Sequence, residues 1–368
     1  MVACALTDLD DAQVEELIVA AGGKAFQARQ LTHWLYRHGA ATLAACRNLP
    51  QGLRDALATG LPPRASTVAR VDTAEDDTQK ALLRLADGEH IEMVLIPEGE
   101  RTTLCVSSQA GCPVACIFCA SGLHGVRRNL SRGEIIEQVL HARALLPTGR
   151  ALTNIVVMGM GEPMLNLDNL LPALARIHDP AGINLGARRI TVSTSGYPEQ
   201  IRRFAQADAA YNLAISLHAA DDALRQQLVP TAKHPVAELV AAAREFFADK
   251  HREVTFEVVL LAGMNDRAGD AQALVRVLRD FPCTVNLIPW NPVAEIGALR
   301  RPSDAAVDAF ADVLRRGGLN VSVRRQRGVD RSAACGQLRL QVAGAPSAHV
   351  GLTPRAPLDA RSRMPPEN

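Results

Sequence analysis

Apolar residues recur at three- and four-residue intervals through DDAQVEELIVAAGG, residues 10–23, and stop at a Gly-Gly pair. That spacing predicts an amphipathic helix with a glycine end. AFQARQLTHWLYRHGA, residues 25–40, repeats the pattern, with Trp34 and Leu35 read as core. NLPQGLRDALATGLPP predicts a short third helix ended by prolines. The period then drops to two over residues 67–72, 79–86 and 90–96, with Asp87-Gly88 as a hairpin signal between the last two. Residues 1–65 are therefore expected to form a helical accessory domain, and 66–97 a β extension.

From residue 102 strand-like and helical runs alternate. TTLCVSSQ, TNIVVMG, RRITVST, YNLAISLH, VTFEVVLL and CTVNLIP read as strands, with NVSVRRQ as one more. Helical runs between them include SRGEIIEQVLHARALL, LDNLLPALARIH, PVAELVAAAREFF, DAQALVRVLRDF and DAAVDAFADVLRRGG. Ser131 and Glu134 make a capping-box pattern, and Gly317-Gly318 closes the last helix. Six β/α units connected by right-handed crossovers predict an α/β fold with a parallel sheet, open or partly closed into a barrel. This domain is expected over 98–340. Residues 341–368, rich in Pro, Ser and Arg, are expected to be a disordered tail.

Composition narrows the partners. The 368 residues carry a net charge of only +1, so nucleic-acid binding would have to come from local patches. Candidate patches are Arg127-Arg128, Arg188-Arg189, Arg202-Arg203, Arg300-Arg301, Arg315-Arg316, and Arg324-Arg325 with Arg327. The alternative reading makes these solvated helix ends. The start shows no basic stretch before an apolar run, and no segment reaches the roughly 18 apolar residues of a membrane helix. A soluble cytoplasmic protein is the expectation.

In parallel α/β folds the chemistry gathers at the C-terminal ends of the strands. GCPVACIFC follows the first strand, GMGEP the second and STSG the third; SLH ends the fourth and PWNP the sixth. The cysteines are the most specific feature. Cys112, Cys116 and Cys119 are spaced C-x3-C-x2-C with no fourth cysteine nearby. A closed zinc site or an ordinary iron–sulfur cluster wants four ligands. Three thiols alone leave three readings: free buried thiols, zinc completed by a distant residue, or a cluster with one open iron. Gly161 would let backbone approach a ligand closely, and Glu162 would receive an ammonium group. Ser193, Ser216, Leu217, His218 and Asn291 are candidates for ribose and adenine. Simple strand-end capping is the alternative for these polar side chains.

The cysteine spacing after the first strand resembles the radical S-adenosylmethionine superfamily. There the fourth ligand of a 4Fe-4S cluster is S-adenosylmethionine itself, whose reductive cleavage gives methionine and a 5′-deoxyadenosyl radical. GCxxxCxFC, GxxRNL, MGMGEPxLN, STSG, AISLHA, NLIPWNP and RGxDxxAACGQL, spread from about Phe26 to Leu338, resemble the RlmN/Cfr family of RNA adenine methyltransferases. The resemblance implies a partial (β/α)6 barrel behind a helical N-terminal domain. It implies methylation of carbon 2 of adenosine in 23S rRNA and, in many members, in tRNA next to the anticodon, with S-adenosylmethionine as both methyl donor and radical source. A Cfr-like enzyme acting on carbon 8 is a close variant. A radical enzyme with a non-RNA substrate and a non-catalytic RNA-binding protein holding a structural metal are more distant alternatives. An electron donor such as flavodoxin with its reductase, and a monomer, complete the implied picture.

The family chemistry assigns roles to three further residues. Cys335 in AACGQL matches the cysteine that carries the methyl group, Cys105 the cysteine that releases product through a disulfide, and Glu92 the base that takes the ring proton. Without the resemblance, Cys105 would read as strand core and Glu92 as solvent-facing. Cys4, Cys46 and Cys283 match no catalytic motif and read as incidental or packing residues. Two stretches depart from the family pattern, VPTAK at 229–233 and Gly328-Val329-Asp330. Neither falls on the cysteines, and both concern loops that set the RNA target.

Overall fold

The computed structural model describes residues 5–324, 328 and 331–338. Cys4, Arg325, Arg327, Val329, Asp330 and the tail expected over 341–368 lie outside the described residues. The chain opens with α1 (Asp11–Ala20), α2 (Phe26–Tyr36) and α3 (Gln51–Ala58). Asp10 caps α1: its carboxylate accepts the Gln13 N–H at 2.8 Å, and the Gln13 side chain accepts the Asp10 N–H at 3.0 Å.

The antiparallel strands β1 (Thr67–Thr73), β2 (Gln79–Arg84), β3 (His90–Glu98) and β4 (Arg101–Cys105) follow. The short strands β5 (Gln109–Gly111) and β6 (Val126–Asn129) pair as a separate hairpin. The remainder is α4 (Arg132–Leu145), β7 (Asn154–Val157), α5 (Leu167–His178), β8 (Ile190–Thr194), α6 (Pro198–Ala205), β9 (Asn212–Ser216), α7 (Asp222–Leu228), α8 (Val236–Lys250), β10 (Val254–Leu260), α9 (Ala268–Leu278), β11 (Cys283–Pro289), α10 (Asp304–Arg316) and β12 (Asn320–Val323).

Among the described residues one ten-stranded sheet runs β1-β2-β3-β4-β7-β8-β9-β10-β11-β12, parallel from β4 onward. Its outer strands do not pair with each other, so the barrel is partial. The expected architecture is borne out, and the β extension continues directly into the barrel sheet through β3 and β4. Helices α6 and α7 fill connections that the periodicity did not mark as helical. Ile155, Ile190, Val192, Leu213, Ile215, Phe256 and Val258 are fully buried, as parallel strands covered by helices require. Cys46 and Cys283 belong to this core, in line with a packing role. Among the described residues no helix is long and apolar enough to cross a membrane.

A buried carboxylate docks the N-terminal helices on the barrel. Glu137 of α4 accepts from the Thr7 hydroxyl at 2.6 Å, the Ala65 N–H at 2.9 Å, the Ser66 N–H at 2.7 Å and the Ser66 hydroxyl. Burial pushes its carboxyl up, and these hydrogen bonds oppose that rise. Glu137→Ala strands several buried donors and is expected to cost about 2–4 kcal/mol in urea unfolding, with earlier proteolysis of the N-terminal helices.

The Ser66 hydroxyl is spent on Glu137, so Nε2–H of His141 donates to Ser66 Oγ at 3.0 Å. Burial, with Arg64 nearby, pushes His141 down to about 4 from 6.5. The unfolded chain therefore takes up this proton first as pH falls. The contribution is whole above about pH 6.5 and is lost progressively toward pH 4, about 3 kcal/mol in all. His141→Gln is expected to flatten that part of the urea-midpoint profile relative to the parent.

Candidate active site

The hairpin β5–β6 closes the cysteine loop at its base, where the Cys112 N–H donates to Gly125 O at 3.0 Å. The loop is then tied to segments distant in sequence. The Ile117 N–H donates to Leu228 O at 3.1 Å, and the Ala120 N–H to Gly336 O at 2.7 Å. The Trp290 ring N–H donates to Phe118 O at 2.9 Å, and the Thr231 hydroxyl to Val114 O at 2.7 Å. Thr231 lies in the 229–233 stretch that departs from the family pattern, so that stretch does reach the cysteine loop. Such pre-ordering is what a cofactor site needs.

Cys112, Cys116 and Cys119 line one cavity at the C-terminal ends of the strands. Burial pushes Cys112 up to about 12 and raises Cys116 and Cys119; Cys119 adds to the rise at Cys112, Cys119 and Cys112 to that at Cys116, and Cys335 to that at Cys119. Three soft thiols massed against their own ionisation are suited to a positively charged metal centre. Among the described residues no three His, Cys, Asp or Glu side chains converge on a single ion position. In a cluster each thiolate takes its own iron, so the three sulfurs need not converge. Three soft thiols lining one cavity fit a cluster with one open iron.

Glu162 enters the same cavity and is 2% exposed. Its Oε2 accepts from the N–H and the hydroxyl of Ser195, both at 2.7 Å, and its Oε1 from the Met164 N–H at 3.0 Å. Burial raises its carboxyl, and the Ser195 bonds oppose this. Ser195 was not singled out in the sequence, although it stands inside the STSG motif. Gly161 has φ +107° and approaches the protein's own backbone: a Cβ there would lie 2.7 Å from Gln109 N and Ser108 Oγ. Its smallness therefore serves the packing of the second strand end against β5 as well as any ligand. Gly161→Ala is expected to cost about 2 kcal/mol or more in thermal unfolding.

Ser193, Ser216, His218 and Asn291 also line the cavity, with Ser193 Oγ 3.4 Å from Ser216 Oγ. His218 is fixed at φ +64°; its Nδ1 accepts the Val259 N–H at 3.2 Å, and burial pushes it down to about 3. It is therefore neutral. The Asn291 side-chain amide donates to Cys335 O at 3.0 Å, so it anchors the C-terminal loop. Leu217 is not on the cavity wall: it is fully buried in the core and donates its N–H to Glu257 O at 3.0 Å. Arg225, fully buried behind the site, donates to Ser195 O. Nothing in the DALRQQL segment signalled that role.

Cys105 and Cys335 line the same cavity as the three clustered cysteines. Burial pushes Cys105 up to about 12 and raises Cys335, while Arg324 lowers both. Both are free thiols. The Cys335 loop is pinned by Asn291 and by Gln337, whose amide donates to Pro292 O at 2.7 Å. Ser121 of the cysteine loop donates to Leu338 O at 2.6 Å. Glu92 departs from its solvent-facing alternative: it is fully buried, with Oε1 3.2 Å from Lys80 Nζ. It does not line the cavity, although Val94 and Ile96, two and four residues along the same strand face, do.

Several of the arginine patches are spent on the protein itself. Arg128 binds both oxygens of Glu134, and Arg202, Arg203, Arg301 and Arg315 pair with Glu245, Asp168, Asp304 and Asp312. Arg324 points into the cavity.

The comparisons with known proteins agree with this geometry. Residues 106–274 match the model of the radical SAM superfamily, and residues 4–61 that of the ribosomal RNA large subunit methyltransferase N-terminal domain. A protein of Thermosynechococcus vestitus named "Probable dual-specificity RNA methyltransferase RlmN" is 47% identical over 329 residues, which is 89% of this chain and 96% of that one. One of the same name from Rhodopirellula baltica is 43% identical over 89% of this chain and 88% of its own. The crystal structure of a radical SAM methyltransferase from Sphaerobacter thermophilus superposes with a TM-score of 0.88 at 46% identity, covering 91% of this chain and 98% of that one. Likeness of this extent covers most of the chain, and the chain belongs to the RlmN family of radical S-adenosylmethionine RNA methyltransferases.

Proposed function

We propose that this enzyme methylates carbon 2 of an adenosine in RNA, with the methyl group carried on Cys335. The observation that supports this most is that Cys105 and Cys335 share one cavity with Cys112, Cys116 and Cys119. A methyl-carrying thiol is useful only beside the group that activates it, and a second thiol only where it can resolve the first. The three clustered cysteines would hold a 4Fe-4S cluster, and Glu162, Ser193, Ser216, His218 and the Gly161 backbone would seat S-adenosylmethionine. Bound together, these supply a carbon-centred radical able to take hydrogen from a methyl group.

The protein's own residues divide the rest of the work. Cys335 takes up a methyl group and presents it on a loop held by Asn291. Glu92 accepts the proton from the ring carbon. Cys105, having lost its proton, attacks the Cys335 sulfur as a thiolate: the sulfur–sulfur bond forms, the carbon–sulfur bond breaks with its electron pair left on carbon, and that carbon takes up a proton to complete the methyl group. Carbon 2 of adenine is a poor nucleophile, which is why direct attack on a sulfonium methyl would fail and a carrier is needed. The relatives named dual-specificity and the large-subunit ribosomal RNA methyltransferase N-terminal domain are consistent with more than one RNA substrate; an adenosine in 23S rRNA and a tRNA adenosine beside the anticodon are the substrates we propose. The N-terminal helices over 1–65 would contact RNA, a flavodoxin-type donor would supply electrons, and the enzyme would act as a monomer.

Nucleoside mass spectrometry on rRNA and tRNA from a deletion strain and its parent tests the reading. Loss of 2-methyladenosine from either fraction is the expected result and names the substrate. Loss of 8-methyladenosine instead would assign the Cfr-like reaction, and no change in either would overturn the RNA adenosine assignment.

A further inference from the structure

Lys80 is buried where a lysine is seldom found. Its side chain is 3% exposed and the Glu92 side chain beside it is fully buried, with Nζ 3.2 Å from Oε1. The same Nζ donates to Ser332 O at 3.3 Å, three residues before Cys335. In the sheet Lys80 of β2 stands directly opposite Val94 of β3, and Val94 opposite Cys105 of β4. Opposed residues share a face. Lys80 therefore stands on the cavity side of the sheet, at the edge where Val94 and Cys105 form its wall. One ammonium group thus touches the side chain read as the base and the loop that carries the methyl-bearing thiol.

Stability does not explain this arrangement well. A buried ion pair is commonly no better than apolar side chains of the same volume, because both charges lose their hydration. The loop also has other attachments on this edge: Arg331 Nε donates to Thr73 O at 3.1 Å and the Gly328 N–H to Asp76 Oδ2 at 3.1 Å. Ser332 itself is held at φ +49°, a conformation unfavourable for a residue with a Cβ. The β extension thus grips the catalytic loop, and Lys80 is the gripping residue that also binds Glu92.

We propose that Lys80 is a positioning residue for the proton step: it orients the Glu92 carboxylate and couples it to the loop that brings Cys335 to the adenine. This rests on the assignment of Glu92 as base and Cys335 as carrier. In the step, the proton on the ring carbon passes to a Glu92 oxygen and the carbon–hydrogen electron pair stays with the ring. Glu92 becomes a neutral acid and Lys80 keeps its own protons. The ion pair is then discharged, while Lys80 Nζ keeps its hydrogen bond to Ser332 O.

The test uses the full-length, cluster-loaded enzyme and RNA from a strain lacking it, with Lys80→Met, Lys80→Arg and Glu92→Gln. Three quantities are read: methylation of Cys335 by protein mass, covalent enzyme–RNA adduct, and methylated RNA. Lys80→Met is expected to keep Cys335 methylation, because Asn291, Ala120 and Ser121 still hold the loop. It should lose about 100-fold or more in RNA turnover, the usual worth of a positioned base, and accumulate adduct. Lys80→Arg should restore most of the turnover, and Lys80→Met added to Glu92→Gln should cost little more. Parental turnover in Lys80→Met would overturn the proposal. So would a loss of Cys335 methylation in Lys80→Met that Lys80→Arg fails to rescue, which would mark a scaffold role. If Glu92→Gln itself turned over normally, the base assignment would fall and the proposal with it; if Glu92→Gln were inactive and Lys80→Met normal, only Lys80's role would fall.

Discussion

Replacing Cys335 with alanine is expected to abolish RNA methylation while leaving the fold intact. The loop around it is held by backbone carbonyls and by neighbouring side chains: Asn291 on Cys335 O, Ala120 on Gly336 O and Ser121 on Leu338 O. None of these needs the thiol. The loss in stability should therefore stay within about 1 kcal/mol, while turnover falls by at least ~10³-fold, since a covalent carrier has no substitute. Cluster absorbance should be unchanged, because Cys112, Cys116 and Cys119 are untouched. Measuring turnover, thermal midpoint and the visible spectrum on one sample separates these effects. Retained turnover would remove the carrier from the mechanism.

Cys105→Ala should fail at a different stage. Cys105 lies at the end of β4, opposite Val94 and Val156, and is 8% exposed. Deleting one buried sulfur there should cost about 1 kcal/mol. Methylation of Cys335 and attack on RNA should still proceed. Release should not, because no second thiol is present to take the Cys335 sulfur. The expected result is one RNA chain held covalently per enzyme molecule, visible as a shifted band that survives denaturation but not ribonuclease. Multiple turnovers without adduct would show that product leaves by another route.

Local patterns in the chain reveal the site only where its parts are close in sequence. The C-x3-C-x2-C loop is legible because its three cysteines stand close together in the chain and line one cavity. The motifs at successive strand ends are legible because a parallel β/α array must bring them to one face. Ser193, Ser216, His218 and Glu162 duly line a single cavity. Helices α6 and α7 escaped because they are short, eight and seven residues, with too few turns to show a period. Leu217 reads with its motif neighbours, but its side chain is buried in the core while Ser216 and His218 on either side line the cavity.

Contacts between distant segments were not legible. Thr231 on Val114, Arg225 on Ser195 and Asn291 on Cys335 join residues 30 or more positions apart. Glu92 shows the limit most clearly. On an alternating strand a glutamate reads as solvent-facing. What reverses that reading is Lys80, on the neighbouring strand, whose Nζ also reaches Ser332 O. The arginine pairs fit their alternative reading as solvated side chains, since several make surface ion pairs of small individual worth.

The most direct test of a methyl group carried on Cys335 follows its hydrogens. The enzyme would be supplied with S-adenosylmethionine bearing a trideuterated methyl group, and the methyladenosine product analysed by mass. A methyl that passes through Cys335 and gives up one hydrogen to a radical must reach the RNA with two deuterons and one hydrogen gained later. Delivery of the methyl with all three deuterons intact would mean direct transfer from the sulfonium and would contradict the account.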